Sequence, residues 1–258
     1  MKKDIYYVIG YPVKHSLSPK IQMQLAKDHS QNMLFTAVEI APEELEQKIA
    51  EFKNDPQVKG LSVTVPHKEK LFNLSDEADD IADYVKAASN VIFTEDRKMI
   101  ALNYDGLGIV NDIKYNHNIT FTNKKVLVIG AGGAAKAVIA AVIKENPSLL
   151  SIANRTKTKA QNTQRLFENK FNIDVQDYGN IQEAYDIVIN STSSNLANQL
   201  LPLSPQNFKP EAFAYDLMYG ERGTIFTRWC QNNNIKASDG KGMLVELSKV
   251  VFKKWRNI

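Results

Sequence analysis

Cysteine is almost absent from this chain, which has one cysteine, Cys230, in 258 residues. A single cysteine cannot form a disulfide within the chain, which excludes the small secreted classes of protein that are stapled by disulfides. No cluster of cysteine and histidine surrounds it in the sequence. We therefore interpret Cys230 as a structural thiol and expect a cytoplasmic, reducing location.

Long hydrophobic runs and an excess of one charge are also lacking. The apolar run Ile5–Ile9 ends at Gly10, so we interpret it as a strand rather than as a signal peptide. No stretch approaches the ~18 apolar residues that would span a membrane. The 32 basic and 29 acidic residues leave a net charge of +3, spread along the chain. Neither a nucleic acid nor a membrane is therefore an expected partner.

The chain does contain a regular alternation of strand and helix patterns. The strand-like runs are Ile5–Ile9, Leu34–Ile40, Leu61–Val65, Val91–Thr94, Ile100–Asn103, Val126–Ile129, Leu149–Ala153, Ile187–Asn190, Ala212–Asp216 and Ile235–Ser238. Helical patterns separate most of them, which predicts an α/β fold with parallel sheets. One helix is predicted to begin at Pro42, because proline suits the first helical position and the acids Glu43 and Glu44 suit the first turn.

The most informative segment is the glycine-rich turn after the strand Val126–Ile129. Gly130 allows a tight turn, Gly132 lets the backbone approach a phosphate, and Ala135 keeps the next helix close to the strand. In this way a parallel strand brings a dinucleotide pyrophosphate to a helix N-terminus. A glycine turn without a ligand is the alternative. The residues of the predicted site are Gly130, Ala131, Gly132, Gly133 and Ala134.

The end of the next strand, Leu149–Ala153, indicates which dinucleotide is bound. An NAD site would carry Asp or Glu about 20 residues after the glycines, whereas this chain has Asn154, Arg155 and Thr156. Arg155 offers a forked donor for a 2′-phosphate, and Thr156 and Lys159 add further donors. We therefore predict NADP(H) as the cofactor. An ordinary solvated arginine at a strand end is the alternative.

The position of this turn also predicts the domain organisation. The dinucleotide strand begins near residue 125, so the residues before it need a core of their own. We predict a substrate-binding α/β domain over residues 1–104 and a Rossmann-type NADP-binding domain over residues 105–240. A C-terminal helix, 241–258, is expected to return to the first domain.

Eight motifs, among them Asn154–Thr156, follow one another along the chain. They are Gly10–Pro19, Ser62–Glu69, Ser89–Asn90, Asn103–Gly108, Asn154–Thr156, Ile189–Ser193, Asp216–Tyr219 and Gly240–Leu244. In these motifs and in their order, the chain resembles the shikimate dehydrogenase family. The resemblance implies that the protein catalyses the reversible, NADPH-dependent reduction of 3-dehydroshikimate to shikimate in aromatic amino-acid biosynthesis. It also implies a monomer or homodimer that binds a small-molecule substrate and needs no metal.

The resemblance also implies roles for residues of the first domain. Lys68 and Asp105 match the family's catalytic pair and would also contact the substrate, with Lys68 as the acid and Asp105 orienting it. A free lysine titrates near ~10.4, so burial would have to lower the pKa of Lys68, while a neighbouring carboxylate opposes that shift. Ser16 and Ser18 would hold the substrate carboxylate. An ST-type turn before Pro19 is the alternative for these two serines.

Further roles in the substrate and cofactor sites are implied for polar residues elsewhere. Thr64 and Asn90 would contact substrate hydroxyls, and Tyr219 would approach the substrate from the nucleotide domain. Asn190, Thr192 and Ser193 would line the nicotinamide side, unless they form a plain polar loop. Met243 would pack near the nicotinamide, unless it is an ordinary core residue.

Five positions depart from the family pattern. Ser62 stands where the family usually has Asn, Ala87 where it has Gly, Val91 and Tyr104 where it has Thr, and Leu247 where it has Gln. Glu246 is adjacent but about 100° around a helix. We expect altered contacts to the substrate, in which Leu247 leaves a ring hydroxyl without a hydrogen-bond partner on that side.

Two alternative functions remain open. The first is a dehydrogenase of quinate or a related polyhydroxy-cyclohexane carboxylate, although Ser18 fits the shikimate pattern. The second is a catalytically silent homologue that binds a nucleotide or metabolite.

Overall fold

The computed structural model describes residues 3–258, and the chain divides into two compact units. Unit 1 consists of the residues up to Asp105 together with Leu244–Ile258, and unit 2 consists of Gly106–Met243. Each unit contains a six-stranded sheet. The predicted α/β class is therefore confirmed.

The strands and helices alternate along most of the chain. The strands are β1 (Asp4–Gly10), β2 (Met33–Glu39), β3 (Val58–Val63), β4 (Glu77–Ala78), β5 (Asn90–Phe93), β6 (Met99–Leu102), β7 (Lys125–Ile129), β8 (Leu149–Ala153), β9 (Ile173–Gln176), β10 (Tyr185–Asn190), β11 (Phe208–Asp216) and β12 (Lys236–Asp239). The helices are α1 (Ser18–Asp28), α2 (Leu45–Asn54), α3 (Lys68–Leu74), α4 (Asp80–Val85), α5 (Asp105–Asn111), α6 (Gly133–Ile143), α7 (Lys157–Phe167), α8 (Ile225–Asn232) and α9 (Lys241–Arg256).

The sheet of unit 1 has the strand order β2-β1-β3-β5-β6-β4 and is mixed. β1 is parallel to β2 and β3, but β5 is antiparallel to both β3 and β6. The predicted parallel pairing therefore holds for β1, β2 and β3, and β4 is also parallel to β6, but the prediction does not hold for β5. A tight turn joins β5 to β6, with the Thr94 N–H bound to the Lys98 carbonyl at 3.0 Å, and a connection this short can only join antiparallel strands.

One further local prediction was wrong and two strands were missed, each for a physical reason. α2 begins at Leu45 and not at Pro42, because residues 41–44 form a separate turn in which the Glu44 N–H donates to the Ala41 carbonyl at 3.0 Å. The strands β4 and β9 were not predicted. β4 is two exposed residues, and only Ile173 is buried in β9, so neither has an apolar run that sequence patterning could detect.

Helices cover both faces of the unit 1 sheet. Because side chains alternate along a strand, Ile9 packs in a cluster with residues of α2 and α3, whereas Val8 packs with residues of α1 and α9 on the other face. The Trp255 indole N–H on α9 donates to the Val91 carbonyl at 3.1 Å. A Cβ on Gly60 would lie 2.6 Å from that indole nitrogen, so only glycine permits this close approach.

The sheet of unit 2 is parallel throughout, with the order β12-β11-β10-β7-β8-β9. From β7 the chain proceeds to β8 and β9 on one side and then returns to β10 on the other. The strand order therefore reverses between β7 and β10, and open α/β sheets bind ligands outside the carboxyl ends of the strands at such a point.

Residues 3–258 lack two features that would indicate other classes of protein. No helix in this range is both long enough and apolar enough to cross a membrane. The same range holds no group of three or more histidine, cysteine, aspartate or glutamate residues arranged to hold a metal ion.

Candidate functional site

All the predicted substrate residues except Tyr219 belong to unit 1, where they lie at one edge of the sheet. Ser16 and Ser18 follow β1, and Thr64 follows β3, at a reversal of strand order like that in unit 2. Asn90 begins β5 opposite Ser62 of β3. Because β5 runs antiparallel to its neighbours, its first residue reaches the same edge as the carboxyl ends of β3 and β6.

The loop after β1 presents the two serine hydroxyls. The Ser18 N–H donates to Ser16 Oγ at 3.3 Å, and the Ser16 N–H donates to the Val13 carbonyl at 2.9 Å. The ST-type turn is therefore present. In this turn Ser16 Oγ acts only as an acceptor, so the turn does not use the hydroxyl hydrogen of Ser16. Ser18 is buried at the start of α1.

Lys68 and Asp105 form an ion pair, with Lys68 Nζ donating to Asp105 Oδ2. The Asp105 side chain is 2% exposed and that of Lys68 is 18% exposed, so the pair is largely desolvated while Lys68 keeps some access to solvent. Both residues begin helices, α3 and α5. In the sequence, a lysine and an aspartate at helix starts could each be only surface residues, and the fold brings them together.

The segment 87–90 ties the elements around this pair to one another. The Ala88 N–H donates to the Lys68 carbonyl at 2.9 Å. Asn103 Nδ2 donates to the Ala87 carbonyl at 2.8 Å, and Asn103 Oδ1 accepts the Asp105 N–H at 3.2 Å. The backbone of both charged residues is thus held by one short buried stretch of chain.

The glycine turn in unit 2 fits the pyrophosphate of a dinucleotide. Gly130 has a φ of +121°, and a Cβ there would lie 2.4 Å from Ser191 Oγ. Gly132 precedes α6, and a Cβ on it would meet nothing within 4 Å, so its backbone faces open space. Ala131 and Ala135 are buried, whereas Gly133 and Ala134 are half-buried. The positive end of the α6 dipole lies at this turn.

The residues after β8 fit a phosphate beside the adenosine ribose. Arg155, Thr156 and Lys159 are exposed, and the first turn of α7 contains no acidic residue. Asn154 Nδ2 donates to the Thr156 carbonyl at 2.9 Å, which holds the turn. Burial raises the pKa of Tyr178, and the nearby positive charge of Arg155 opposes that rise.

The loop after β10 is organised by Asn190. This side chain is fully buried, and its Oδ1 accepts both the Thr192 N–H at 3.0 Å and the Thr192 hydroxyl at 2.7 Å. Asn190 therefore supports the loop that carries Thr192 and Ser193, and its own amide is not exposed to a ligand.

The remaining two predicted residues also belong to unit 2. Tyr219 follows β11 and is half-buried. Met243 is 8% exposed near the start of α9, and its N–H donates to the Tyr215 hydroxyl at 3.1 Å.

Comparison with known proteins matches both units. The family model described as the shikimate dehydrogenase substrate binding domain matches residues 8–92, and that described as shikimate / quinate 5-dehydrogenase matches residues 113–199. The shikimate dehydrogenase (NADP(+)) of Janthinobacterium sp. (strain Marseille) is 37% identical over 258 residues, covering 100% of this chain and 93% of the relative. The chain belongs to the shikimate dehydrogenase family.

Solved structures of shikimate dehydrogenases share the fold. The enzyme of Aquifex aeolicus is 33% identical with a TM-score of 0.85, and the match covers 99% of this chain and 93% of that one. The enzyme of Thermus thermophilus, solved in complex with NADP(H) and shikimate, is 25% identical with a TM-score of 0.86, covering 98% and 94%.

Two of the departures from the shikimate dehydrogenase pattern belong to the core. Val91 is fully buried among residues of α2 and α3, on the strand position after Asn90, so it takes the opposite face of the sheet. Tyr104 packs against the cluster on the other face, beside α1 and α9. The loss of threonine at these positions changes packing as well as any substrate contact.

Leu247 packs against the same cluster as Tyr104 and is half-buried. We expect Leu247→Gln to raise kcat/KM for shikimate by about 3- to 10-fold, mainly through KM, because an amide would offer a ring hydroxyl one neutral hydrogen bond. The melting temperature should fall, because a polar group enters an apolar contact. Steady-state kinetics and thermal denaturation measure both effects.

Leu25→Gln is the matched control for this substitution. Leu25 on α1 is also half-buried against the cluster, so the same replacement should lower the melting temperature and leave KM unchanged. If Leu247→Gln behaves like Leu25→Gln, residue 247 does not contact the substrate and our expectation is wrong.

Two residues that support the site, Ser89 and Asn103, were given no role from the sequence. They are 2% and 3% exposed, and each uses its side chain to hold a neighbouring backbone or side-chain group. The available signal was their position directly beside or within the family motifs. Their hydrogen-bond partners could not be read from the motifs themselves.

A buried acid, Asp216, ends β11 beside Asn190 of β10. Its Oδ1 accepts the Met218 N–H at 3.0 Å, and within residues 3–258 its Oδ2 has no hydrogen-bond partner. Burial raises the pKa of Asp216 to about 6, against the opposing effect of the Thr224 hydroxyl and the Met218 N–H. The native state therefore binds this proton more tightly than the unfolded chain does.

The raised pKa predicts how stability depends on pH. The contribution of Asp216 to stability should fall as pH rises from about 4 to 6, because its native carboxyl keeps a proton that the unfolded chain has lost. We expect Asp216→Asn to raise the free energy of unfolding at pH 7.5 by up to roughly 2–3 kcal/mol, with little gain at pH 4. Denaturation at both pH values tests this. Asp177→Asn, at an exposed acid of unit 2, is the control, and an equal gain at both pH values would contradict the assignment.

Proposed function

We propose that this protein catalyses the reversible, NADPH-dependent reduction of 3-dehydroshikimate to shikimate. The observation that carries the proposal is the Lys68–Asp105 ion pair, at the sheet edge where Ser16, Ser18 and Asn90 also lie. Together these residues offer a proton donor, hydroxyl donors for a carboxylate and an amide for hydroxyls. A small polyhydroxylated ring acid requires this combination of groups.

In the proposed mechanism, unit 1 holds the substrate. The Ser16 and Ser18 hydroxyls bind the ring carboxylate, and Thr64 and Asn90 bind ring hydroxyls. Neutral donors suit this task because they recognise the carboxylate without the cost of burying another unpaired charge. Tyr219 is proposed as an additional substrate contact from the sequence motif that it completes.

Lys68 supplies the proton in the ketone-reduction direction. Its Nζ donates to the ring carbonyl oxygen as negative charge develops there. Asp105 fixes the direction of the ammonium group and is itself fixed by Asn103 through its backbone N–H. In shikimate oxidation, Lys68 takes the hydroxyl proton back.

Unit 2 fits NADP(H), which supplies the hydride when it is bound. The pyrophosphate would lie against the backbone at Gly130, Ala131, Gly132, Gly133 and Ala134. Arg155, Thr156 and Lys159 would bind the 2′-phosphate, with Asn154 holding their turn. Thr192, Ser193 and Met243 are proposed contacts of the nicotinamide portion.

The direct test is an assay of NADP⁺ reduction by the purified protein. We expect turnover with shikimate and NADP⁺, with NAD⁺ and quinate both much poorer. Turnover of quinate in preference to shikimate would assign the protein to the quinate branch of the family. Binding of NADPH without turnover of either acid would indicate the silent homologue.

We also propose that the enzyme works in the cytoplasm. Its one cysteine, Cys230, is fully buried, and burial raises the pKa of the thiol to about 12. An inert buried thiol without a partner fits a compartment in which thiols stay reduced. Fractionation of cells with an antibody against the chain would test the location.

A further inference from the structure

A chain of hydrogen bonds links Tyr104, Ser89, Asn90 and Ser62 at the substrate edge of unit 1. The Tyr104 N–H donates to Ser89 Oγ at 3.0 Å, Ser89 Oγ donates to Asn90 Oδ1 at 2.9 Å, and Asn90 Nδ2 donates to Ser62 Oγ at 3.1 Å. Ser62 lies on β3 and Asn90 begins β5, whereas Ser89 directly precedes β5 and Tyr104 is the second residue after β6. The three bonds run in one direction.

The backbone group at the start of the chain sets that direction. A peptide N–H can only donate, so Ser89 Oγ must accept there. Its single hydroxyl hydrogen is then available for the Asn90 carbonyl oxygen, which orients the amide with Nδ2 toward Ser62. Ser62 Oγ consequently accepts, and its own hydrogen is left to donate elsewhere.

Burial distinguishes the two ends of the chain. Ser89 is 2% exposed and Asn90 is 1% exposed, so solvent cannot easily replace their hydrogen bonds. Ser62 is more exposed than either. Within residues 3–258 its hydroxyl makes this one hydrogen bond, as an acceptor. The open end of the chain is therefore a hydrogen-bond donor with a fixed orientation.

We propose that Ser89 is a positioning residue that makes Ser62 a dedicated donor to the substrate. This rests on the proposed function, because the ligand that accepts from Ser62 is the ring hydroxyl or carbonyl oxygen of the shikimate or 3-dehydroshikimate bound at this edge. Ser62 stands where the family usually has asparagine, whose amide donates without help. A serine hydroxyl can donate or accept, and Ser89 removes that ambiguity.

A double-mutant cycle on Ser62 and Ser89 tests the coupling, with shikimate and NADP⁺ as substrates. We expect Ser62→Ala to raise KM for shikimate by about 3- to 10-fold, the range for one neutral hydrogen bond, with a smaller change in kcat. Ser89→Ala should raise KM by a similar factor when Ser62 is present. In the Ser62→Ala background, Ser89→Ala should add less than a twofold change.

A conservative variant and a matched control complete the design. Ser62→Thr keeps the hydroxyl and should keep KM within about threefold of wild type. Ser151→Ala removes a fully buried serine hydroxyl of unit 2, which donates to Asp174 at 3.3 Å, and should affect stability without moving KM for shikimate. KM for NADP⁺ should stay unchanged in all Ser62 and Ser89 variants.

Each contrary result overturns the proposal in a different way. An unchanged KM in Ser62→Ala means that Ser62 does not donate to the substrate. An equal effect of Ser89→Ala in both backgrounds means that Ser89 acts on Asn90 alone, and a fall in melting temperature without a KM change means that it is only structural. Failure of the proposed function is recognised separately, because the wild type itself would then not oxidise shikimate.

Discussion

Replacement of Lys68 by alanine is expected to lower kcat for shikimate oxidation by about 10²–10⁴-fold, the usual contribution of a positioned general acid or base. NADPH binding should stay near wild type, because the pair belongs to unit 1 and the dinucleotide turn to unit 2. The variant would lack both the ammonium group that donates a proton in ketone reduction and the amine that accepts it in shikimate oxidation. Steady-state kinetics and a fluorescence titration with NADPH measure the two quantities.

The alanine variant also leaves the Asp105 carboxylate, 2% exposed, without its partner. An unpaired buried charge is strongly destabilising, so part of any loss could come from unfolding. Lys68→Arg separates the two effects. Arginine keeps a positive charge beside Asp105 but does not release its proton near neutral pH, so stability should recover while kcat stays low.

Lys70 provides a control on the same helix, α3. Its exposed ion pair with Glu46, at 2.9 Å, contributes little to stability, and Lys70→Ala should behave as wild type. If Lys68→Ala or Lys68→Arg turned over shikimate within a few-fold of wild type, Lys68 would not be the acid and base. Asp105→Asn should also lower the rate, since it removes the charge that orients Lys68.

The features that could be predicted correctly are those with a signal in the local amino-acid sequence. The turn at Gly130 could be predicted from the sequence because its φ of +121° is sterically unfavourable for residues other than glycine. The order of the motifs was sufficient to indicate the family. The central strands β7, β8 and β10 of the parallel sheet in unit 2 carry largely apolar runs, since both faces of such a sheet are covered by helices.

The predictions that failed or were incomplete depended on pairing between distant segments. The antiparallel direction of β5 and β6 follows from their short connection, but the pairing of β5 with β3 joins segments that α3 and α4 separate in the sequence. The role of Ser89 requires the Tyr104 N–H to lie beside its hydroxyl, and this contact exists only once β5 and β6 are in register. The motifs include Asn90, but they do not show which neighbouring groups orient its side chain.

Val91 illustrates what a motif comparison alone misses. Its departure from the family's threonine suggested an altered substrate contact, but the residue is fully buried in the core. Strand alternation could have indicated this, because Asn90 and Val91 are consecutive and must take opposite faces. The family motif records both residues without distinguishing a ligand contact from a packing contact.

Replacement of Arg155 by alanine is expected to raise KM for NADPH by about 10- to 100-fold and to leave kinetics with NADH almost unchanged. A charge-assisted hydrogen bond to a phosphate is worth roughly 1.5–3 kcal/mol, which corresponds to this range. NADH lacks the 2′-phosphate and so has nothing to lose. Because Arg155 is exposed, salt should screen the contact, and KM for NADPH in the wild type should rise with ionic strength more steeply than in the variant.

Arg165, on α7, is the matched control. It is exposed, and its Nη1 lies 3.4 Å from Asn162 Oδ1 on the same helix, so Arg165→Ala should change neither cofactor's KM. An equal loss with NADPH and NADH in Arg155→Ala would show that Arg155 supports the turn after β8 rather than the phosphate. That turn has its own support in the bond from Asn154 to the Thr156 carbonyl. The arginine is therefore free to act on the ligand, and its removal should change selectivity and not folding.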